Sequence, residues 1–591
     1  MNKFTLLSLA AAASSLAAQN TYPLPASATS TTATENTAPF VIPMRMTQSL
    51  VTNRTTLMAQ GLHASMISWD MVAFDSTSRF LFVPCENFAA GGGVFRYDTQ
   101  TGTVATIWRG DEGGRNPDPA TFNPATDDTA ANDPCTWTPW GTIIFGEEAT
   151  GGRFFECTNP LSPTGPFNIV WRNKIPAVSQ EGMRFDAAGN LYFIDEDNSG
   201  CIYKFVPTVA GNLANGQTFV LSVDAYAASP TAVPNEAWNS TTNRLNTRVG
   251  PATWVPMTDA NGVPLTTTNP FVYVTANSGR LAADEVVGTP YGRPEDLDVK
   301  ALANGRQAMF VATTSENTVY SIELVSNSTA IVRTFVNFNS INLYTGLDVN
   351  PLQNDPWTSP GSGTVLQNPD NLAVDAWGSI YVIEDNNPGD VWKCLDANND
   401  GVAEGLGLFV TLGVGGSEPT GMIFDPNDPY RFICCIQHPS SGNEAIWSFR
   451  TRPYAGSDGD LSLLTGVDAM PTTGPGEFAK TALPLEVVSM TVRSPNGQNH
   501  GQPFALLLQP VSTAAGATPF LPPLWMSPFL PMIPLMGGPA GQFWTVLPFG
   551  GSSTAVQVPP FLAGLSVIVQ GIVVAANGSL VCSDAHEIVL R

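Results

Sequence analysis

The chain has 591 residues, with 50 Asp or Glu against 26 Lys or Arg, so its formal net charge at pH 7 is −24. This length is enough for a large core and a second domain. Nucleic acids and anionic membrane surfaces select for Lys and Arg, so the charge argues against both as partners. The 53 Gly and 49 Pro favour an all-β protein with many turns.

The N-terminus has the pattern of a secretory signal peptide. Lys3 precedes an apolar stretch over residues 4–13, and small residues continue to Ala18. Residues 1–18 are therefore predicted to be a Sec-type signal peptide, which predicts a secreted, periplasmic or cell-surface protein. Residues 19–64 begin rich in Ser, Thr, Pro and Ala and are predicted to be a flexible lead-in.

One pattern recurs through residues 65–485, a short apolar strand that ends in carboxylates. Strands that repeat in this way must stack around a common centre, and several short strands in each repeat predict a β-propeller. Six copies predict six blades. The copies occupy residues 80–87, 142–148, 191–197 and 380–387, with looser versions at 309–317 and 431–438.

The last 106 residues, 486–591, differ in composition from the rest of the chain. Residues 494–583 contain no Asp, Glu, Lys or Arg, and prolines interrupt every apolar run long enough to span a membrane. This region is predicted to be a small β-sandwich-like domain without a membrane span. A module for surface attachment or assembly and a purely structural cap are equally consistent with it.

The strand ends of such a propeller would bring many carboxylates together. A ring of carboxylates is costly unless cations neutralise it. Only four histidines are present, so the available ligands are oxygens, which favour calcium first among the metals. For any single acidic pair a solvated strand end is the better interpretation, but repetition at one place in successive repeats favours a metal site.

Arg293-Pro294-Glu295 is a second candidate for chemistry. An arginine beside carboxylates and metals could bind one edge of a phosphate while the metals bind the other. An ion pair that holds the start of a blade is the commoner use of such a motif.

Taken together, these segments resemble the PhoX-type alkaline phosphatases, a family of exported six-bladed propellers. The likeness runs from about Ser65 to Phe449 and depends on the order of five segments rather than on any one of them. The resemblance implies phosphomonoester hydrolysis at a cluster of calcium and iron in the axial mouth of the propeller. The five segments are residues 138–142 leading to Glu147-Glu148, Gln180-Glu181, residues 293–295, residues 369–372, and Thr420-Gly421 with residues 436–439.

Matched to the family's motifs, seven residues receive roles. Arg293 corresponds to the phosphate-binding arginine and is the predicted catalytic residue. The predicted metal ligands are Glu147, Glu148, Glu181, Glu295, Asp370 and Asn371.

The chain departs from the family at three places. The family has a cysteine, an iron ligand, directly before the Glu-Glu pair, and this chain has Gly146. Gln180 stands where the family has a histidine, and the N-terminus lacks the twin arginines of the family's leader. Loss of a thiolate should weaken iron binding specifically, so calcium is the expected cofactor and iron is in question.

The leading prediction is a secreted, metal-dependent phosphomonoesterase that acts on small phosphate esters. Two alternatives remain open from the sequence. A lactonase-type calcium propeller would use similar acidic strand ends on a carbonyl and would not need Arg293. A non-catalytic calcium-binding surface propeller would fit the glycine at position 146, whereas the intact Arg-Pro-Glu segment opposes it.

Overall fold

The computed structural model describes residues 33–42, 46–87, 92–342, 347–351, 353, 365–376, 378–396, 398–451, 460–467, 470–471, 479–511, 526, 532–536, 545–562 and 565–590. The predicted signal peptide, residues 1–18, lies outside these ranges and stays a prediction. Contacts divide the chain into two compact units, of which the larger ends at Arg452.

The larger unit is a propeller of six antiparallel blades, as predicted. In blades 1 to 4 the strands follow one another in chain order from the innermost outward, and in blades 5 and 6 an N-terminal strand is added at the outer edge. The strands of the first three blades are Ala73–Phe74, Phe80–Cys85, Gly93–Asp98 and Thr103–Trp108 in blade 1; Asn132–Trp137, Ile143–Glu147, Phe154–Cys157 and Ile169–Trp171 in blade 2; and Gln180–Phe185, Leu191–Asp195, Ile202–Val209 and Asn212–Val223 in blade 3.

Blades 4 to 6 follow the same plan, with additions at their outer edges. Gly250–Pro256 joins the outer strands of blades 3 and 4 into one nine-stranded sheet. The strands are Pro294–Ala301, Gln307–Thr313, Thr318–Leu324 and Thr329–Val336 in blade 4; Pro369–Val374, Ile380–Glu384, Asp390–Leu395, Gly405–Leu412 and Phe40–Val41 in blade 5; and Glu418–Asp425, Asp428–Gln437, Ala445–Thr451 and Met46–Asn53 in blade 6.

The N-terminal part of the unit closes the ring of blades. Met46–Asn53 pairs antiparallel with Ala445–Thr451 as the outer strand of blade 6, and the side chain of Gln48 makes two hydrogen bonds to the backbone of Phe40. The sequence predicts a flexible lead-in over residues 19–64, but Phe40–Val41 and Met46–Asn53 in this region are strands. Each pairs with the last strand of a blade and satisfies backbone groups that would otherwise form an unpaired sheet edge.

The apolar core lies between neighbouring blades rather than inside one sheet. Phe82 of blade 1 and Phe145 of blade 2 share one buried cluster, and Met309 and Leu372 belong to clusters that join blade 4 to blades 3 and 5. Each sheet therefore buries both of its faces, which explains the nearly continuous apolar runs in the middle strands.

Helical segments are short in the described part of the chain. The α-helices are Arg54–Ala59, Asp224–Ala227 and Ser278–Glu285, and the 3₁₀-helices are Asn243–Leu245, Thr314–Glu316 and Pro560–Leu562. Among the described residues, no helix has the length and apolar character needed to cross a membrane.

The second unit covers the described residues from 460 onward and consists of two sheets with one shared core, a β-sandwich as predicted. The predicted boundary at residues 485 and 486 falls inside it, because Ser462–Val467 pairs with Val487–Arg493. One sheet contains Met470–Pro471, Ser462–Val467, Val487–Arg493 and Ser552–Gln557, and the other contains Ala479–Ala482, Leu580–Leu590, Ser566–Val574, Pro503–Val511, Ile533–Met536 and Thr545–Val546.

The closure of blade 6 predicts slow amide exchange near the N-terminus. Backbone amides in Met46–Asn53 that donate to Ala445–Thr451 should exchange as slowly as those of the partner strand, because opening either one breaks the same ladder. Hydrogen exchange followed by mass spectrometry checks this, with the exposed turn at Gly211 as a fast internal reference. Fast exchange throughout residues 46–53 would contradict the pairing and restore a flexible lead-in.

Candidate metal centre

The innermost strands of the six blades start at the propeller axis with equivalent residues. We call this the inner-ring position. In five blades it lies five places before the residue at or just after the end of the strand, as Asp70 lies before Asp75 and Glu181 before Asp186. In blade 4 the strand is longer, and Glu295 is identified by the register shift between Pro294 and Leu297. Five of the six are carboxylic acids. The inner-ring residues of blades 1 to 6 are Asp70, Asp133, Glu181, Glu295, Asp370 and Thr420.

The second strand of each blade supplies another equivalent residue, at what we call the outer-ring position. In blades 1 to 5 its amide donates a hydrogen bond to the carbonyl two residues before the inner-ring residue, as from Glu148 to Ala131 at 2.7 Å and from Asp385 to Asn368 at 3.0 Å. In these five blades the same backbone hydrogen bond therefore holds the inner-ring and outer-ring residues next to each other. The outer-ring residues of blades 1 to 6 are Glu86, Glu148, Glu196, Thr314, Asp385 and Gln437.

Backbone strain accumulates at this ring. The residue two places before the inner-ring position is left-handed in four blades, with φ of 55° at Ser68, 44° at Ala131, 51° at Arg293 and 44° at Asn368. A left-handed conformation costs a residue other than glycine roughly 1–2 kcal/mol. The register is also irregular at the inner-ring residue in blades 2 to 6, which is how a bulge re-aims a side chain. Strain repeated at equivalent positions is typical of a functional site.

Paired acids at the ends of the second strands point in opposite directions, because successive strand residues face opposite sides. Glu148 lines the central cavity, whereas the neighbouring Glu147 is fully buried in ion pairs with Arg153 at 2.7 Å and Arg115 at 2.8 Å. Burial raises the pKa of Glu147, but the two guanidinium groups outweigh it and hold this pKa at about 2. Asp195 is likewise paired with Arg280, away from the cavity lined by Glu196.

The two rings surround an axial cavity of about 400 Å³. Its lining contains ten carboxyl groups and one arginine, an excess of negative charge that the protein itself does not balance. The lining residues with ionisable side chains are Asp70, Glu86, Asp133, Glu148, Glu181, Glu196, Glu295, Asp370, Asp385, Glu418, Arg293 and His438.

Burial and crowding shift the pKa values of these acids upward. Desolvation, followed by the charge of neighbouring carboxylates, raises the pKa of Asp133 and of Glu181 well above the ordinary value. Desolvation and a hydrogen bond with Glu196 do the same for Glu148. At Glu418 desolvation and Asp385 raise the pKa to about 10. Without cations the cavity therefore holds protons near neutral pH, and a bound cation would replace them.

Two groups of ligand atoms have the spacing of cation sites, and Asp133 belongs to both. Oxygens of Asp70, Glu86 and Asp133 lie within 4.8 Å of one another, as do oxygens of Asp133, Glu148 and Glu181.

Four of these five acids also have an oxygen without a donor. Asp70 Oδ1, Asp133 Oδ1, Glu148 Oε2 and Glu181 Oε2 are buried, and no donor in the described part of the structure reaches them. Buried oxygens without donors are expensive unless a cation binds them. An all-oxygen set of this kind fits calcium, with Asp133 able to serve two ions.

Of the described residues that line the cavity, Arg293 is the one arginine. Its guanidinium contacts Glu196, with Nε at 2.7 Å from Oε1, and Glu295, with Nη2 at 2.9 Å from Oε1. Burial lowers the pKa of Arg293, but the charges of Glu295 and Glu196 together have the larger effect, so this pKa is raised above its usual value. The side chain is 38% exposed, so the guanidinium is oriented by two carboxylates and still reachable from the cavity.

The structure brings Arg293, Glu148, Glu181, Glu295 and Asp370 to one cavity, and it does not bring Glu147 or Asn371 to the lining. Glu147 faces the arginines described above. Asn371 is buried behind the ring, where its Oδ1 accepts a hydrogen bond from the Gly421 amide at 2.6 Å.

The sequence prediction omitted six acids of the lining. Two of the omitted acids are inner-ring residues, which lie five places before the residue that follows the strand, and three are outer-ring acids at the ends of the repeated apolar strands. The omitted acids are Asp70, Glu86, Asp133, Glu196, Asp385 and Glu418.

Adjacent substitutions should separate cation binding from folding. Glu147→Gln breaks a fully buried ion pair and should lower the free energy of unfolding by about 3–5 kcal/mol. Glu148→Gln removes a cavity carboxylate, so calcium affinity should fall at least as far as the roughly 10- to 100-fold loss seen for outer partners of metal ligands. Calorimetric calcium titration and denaturant unfolding measure the two effects, and the reverse assignment would contradict the alternation of these side chains.

The raised pKa values predict how the stability of the calcium-free protein depends on pH. Glu148, Glu181 and Glu418 have folded pKa values above the unfolded value of 4.5, so the folded state holds more protons than the unfolded state. The free energy of unfolding should therefore fall as pH rises above about 4.5, and this fall should continue toward the folded pKa of Glu418 at about 10. Thermal unfolding with a chelator measures this slope, and saturating calcium should flatten or reverse it. If calcium leaves the slope unchanged, the groups that titrate are not the acids of the cavity.

No curated protein matches the chain significantly. Solved structures that match include the WD40 β-propeller domain of Doa1, at 9% identity and a TM-score of 0.30 over 68% of this chain and 96% of that one, and a 6-phosphogluconolactonase-like protein from Bacteroides uniformis, at 9% identity and 0.29 over 62% and 88%. These scores are low, and the six blades are established by the sheets themselves.

A family match covers the blades that carry Glu181, Arg293, Glu295 and Asp370. The model of the family described as Alkaline phosphatase PhoX matches residues 177–440, which span blades 3 to 5 and the first two strands of blade 6. This confirms the predicted resemblance for that part of the chain. The propeller region over residues 177–440 is therefore similar to the PhoX alkaline phosphatase family.

Proposed function

We propose that this protein is an exported, metal-dependent phosphomonoesterase whose active site is the axial cavity. The family match supports a phosphatase-like function. The observation that carries the proposal is the position of Arg293, a guanidinium held by Glu196 and Glu295 on the wall of a cavity that is otherwise lined by carboxylates.

Charge dictates the order in which the cavity can be filled. A phosphate ester carries negative charge, and ten carboxyl groups would repel it. Cations must therefore bind before the substrate. Asp70, Glu86 and Asp133 would hold one cation, and Asp133, Glu148 and Glu181 another. When bound, such cations would supply Lewis-acid activation of the phosphoryl group and of a water nucleophile.

Arg293 has two tasks in this proposal. Its contacts to Glu196 and Glu295 fix the plane of the guanidinium, which reduces the freedom lost when a ligand binds. The donors that face the cavity can then bind two phosphoryl oxygens and offset charge that develops in the transition state.

The cavity limits the substrate to small esters. Its volume of about 400 Å³ falls at the lower end of the range of roughly 300–1,000 Å³ typical of small-molecule sites. Part of this volume would be taken by cations. A phosphoryl group therefore fits inside, while the alcohol portion of the ester lies toward the mouth.

Export is part of the proposal, on the strength of the leader-like residues 1–18. A role of residues 486–591 in surface attachment or assembly stays a prediction. The described part of this unit exposes large apolar side chains, such as Phe549 and Phe561.

The decisive experiment is hydrolysis of p-nitrophenyl phosphate by the calcium-loaded protein and by Arg293→Ala. Loss of one oriented donor to the transition state should lower kcat/KM by about 10²- to 10³-fold. Arg306→Ala is the matched control, since Arg306 is exposed, does not line the cavity, and pairs with Glu323, which keeps its second partner Arg333; this change should leave turnover unchanged. Equal turnover by Arg293→Ala and the native protein would refute the phosphatase proposal, and hydrolysis of a lactone instead would favour the lactonase alternative.

A further inference from the structure

Gly146 lies on the strand that carries the metal-centre acid Glu148, two residues before it. Alternate strand residues share a face, so a side chain at position 146 would project on the same side as Glu148, about 7 Å away along the strand. In the PhoX resemblance this is the position of a cysteine that binds iron. The question is whether this chain has merely lost that ligand or has closed the site.

The space next to Gly146 is already filled by Gln180. A Cβ atom built at position 146 would lie 2.7 Å from Gln180 Cβ, 3.2 Å from Gln180 Cγ and 3.3 Å from Met183 Cε. Contacts below 3.0 Å do not occur between real Cβ atoms and neighbouring atoms, and Gln180 Cβ is fixed to its backbone. No side chain of any type fits at position 146 without a shift of Gln180 and its strand.

Gln180 cannot easily move aside. It is fully buried, its strand residue pairs with Asp195, and its Nε2 donates a hydrogen bond to the Pro176 carbonyl at 2.8 Å. Gly146 and Gln180 are therefore complementary, a residue without a side chain opposite one whose side chain takes that volume.

Cysteines elsewhere do not replace the missing ligand. Among the described residues, all eight cysteines are buried and none lines the cavity. Cys135 and Cys157, equally near in sequence to Gly146, are buried in the apolar cluster between blades 1 and 2. The donors that remain around the cavity are mainly carboxylate oxygens, which suit calcium, magnesium or manganese better than iron held by a thiolate.

We infer that the Gly146–Gln180 pair closes the iron position and makes the centre selective for hard divalent cations. The inference rests on the proposed metal centre but not on its catalytic activity. Thiolate-bound ferric iron is excluded by the shape of the site as well as by the absence of sulfur.

Metal content of the native protein gives the first test. Protein loaded with equal concentrations of calcium and iron salts, then freed of loosely bound ions, should contain calcium and less than stoichiometric iron by elemental analysis. It should show no visible absorption from a thiolate–iron bond. Stoichiometric iron that survives this treatment would overturn the inference, whether or not the protein hydrolyses phosphate esters.

Reopening the site gives the second test. In Gly146→Cys/Gln180→Gly the Cβ and Cγ atoms that fill the space are gone, so the variant should gain iron and a visible absorption band. Gly146→Ser/Gln180→Gly is the matched control with the same space and no thiol, and it should gain neither. Gly146→Cys alone should be less stable than the native protein in thermal unfolding, because the clash remains. Iron binding by Gly146→Cys alone, with unchanged stability, would show that Gln180 does not close the site.

The two tests separate this inference from the proposed function. An iron-free protein without phosphatase activity would uphold the inference and reject the function. An active protein with stoichiometric iron would do the reverse.

Discussion

The structure depends on how ten carboxyl groups are tolerated around one axis. Each lies at or next to a blade's strand end, and desolvation raises the pKa of those held deepest, including Asp133, Glu181 and Asp370. Two ways to relieve this are available, namely protons and cations. Protons suffice for an isolated protein, but strained backbone at Ser68, Ala131, Arg293 and Asn368 is costly to maintain for protonated acids alone. Bound cations would neutralise the carboxylates and so offset the cost of the strained backbone.

The repeat explains how a site of this complexity is built from short segments. Each blade contributes one inner-ring and one outer-ring residue through the same strand geometry, so the cavity needs no long functional loop. The blades differ from one another in single residues at these ring positions. In blade 4 the outer-ring residue is Thr314 rather than an acid, and the same blade provides Arg293. Blade 4 therefore has one ring acid fewer than blades 1 to 3 and 5 and also supplies the arginine, which makes it the side of the cavity best suited to an anionic substrate.

Much of this fold could be predicted from sequence because the blade pattern repeats. Apolar strands ending in acids predict six blades, and the sheets confirm them. The site could be predicted only in part. The sequence does not distinguish Glu147 from Glu148 as a metal ligand. Only the alternation of side chains along the strand shows that Glu147 pairs with Arg153 while Glu148 faces the cavity. Closure by Met46–Asn53 was also missed, because the pairing with Ala445–Thr451 spans nearly four hundred residues and leaves no local signal.

The central claim is that cations, rather than protons, balance the charge of the axial cavity. Crystals grown with calcium, with ions located by anomalous scattering, test this most directly. The account predicts two cations that share Asp133, one also bound by Asp70 and Glu86 and the other by Glu148 and Glu181, at calcium–oxygen distances of about 2.3–2.6 Å. A cavity that contains only water at saturating calcium, with its ring of acids unchanged, would contradict it.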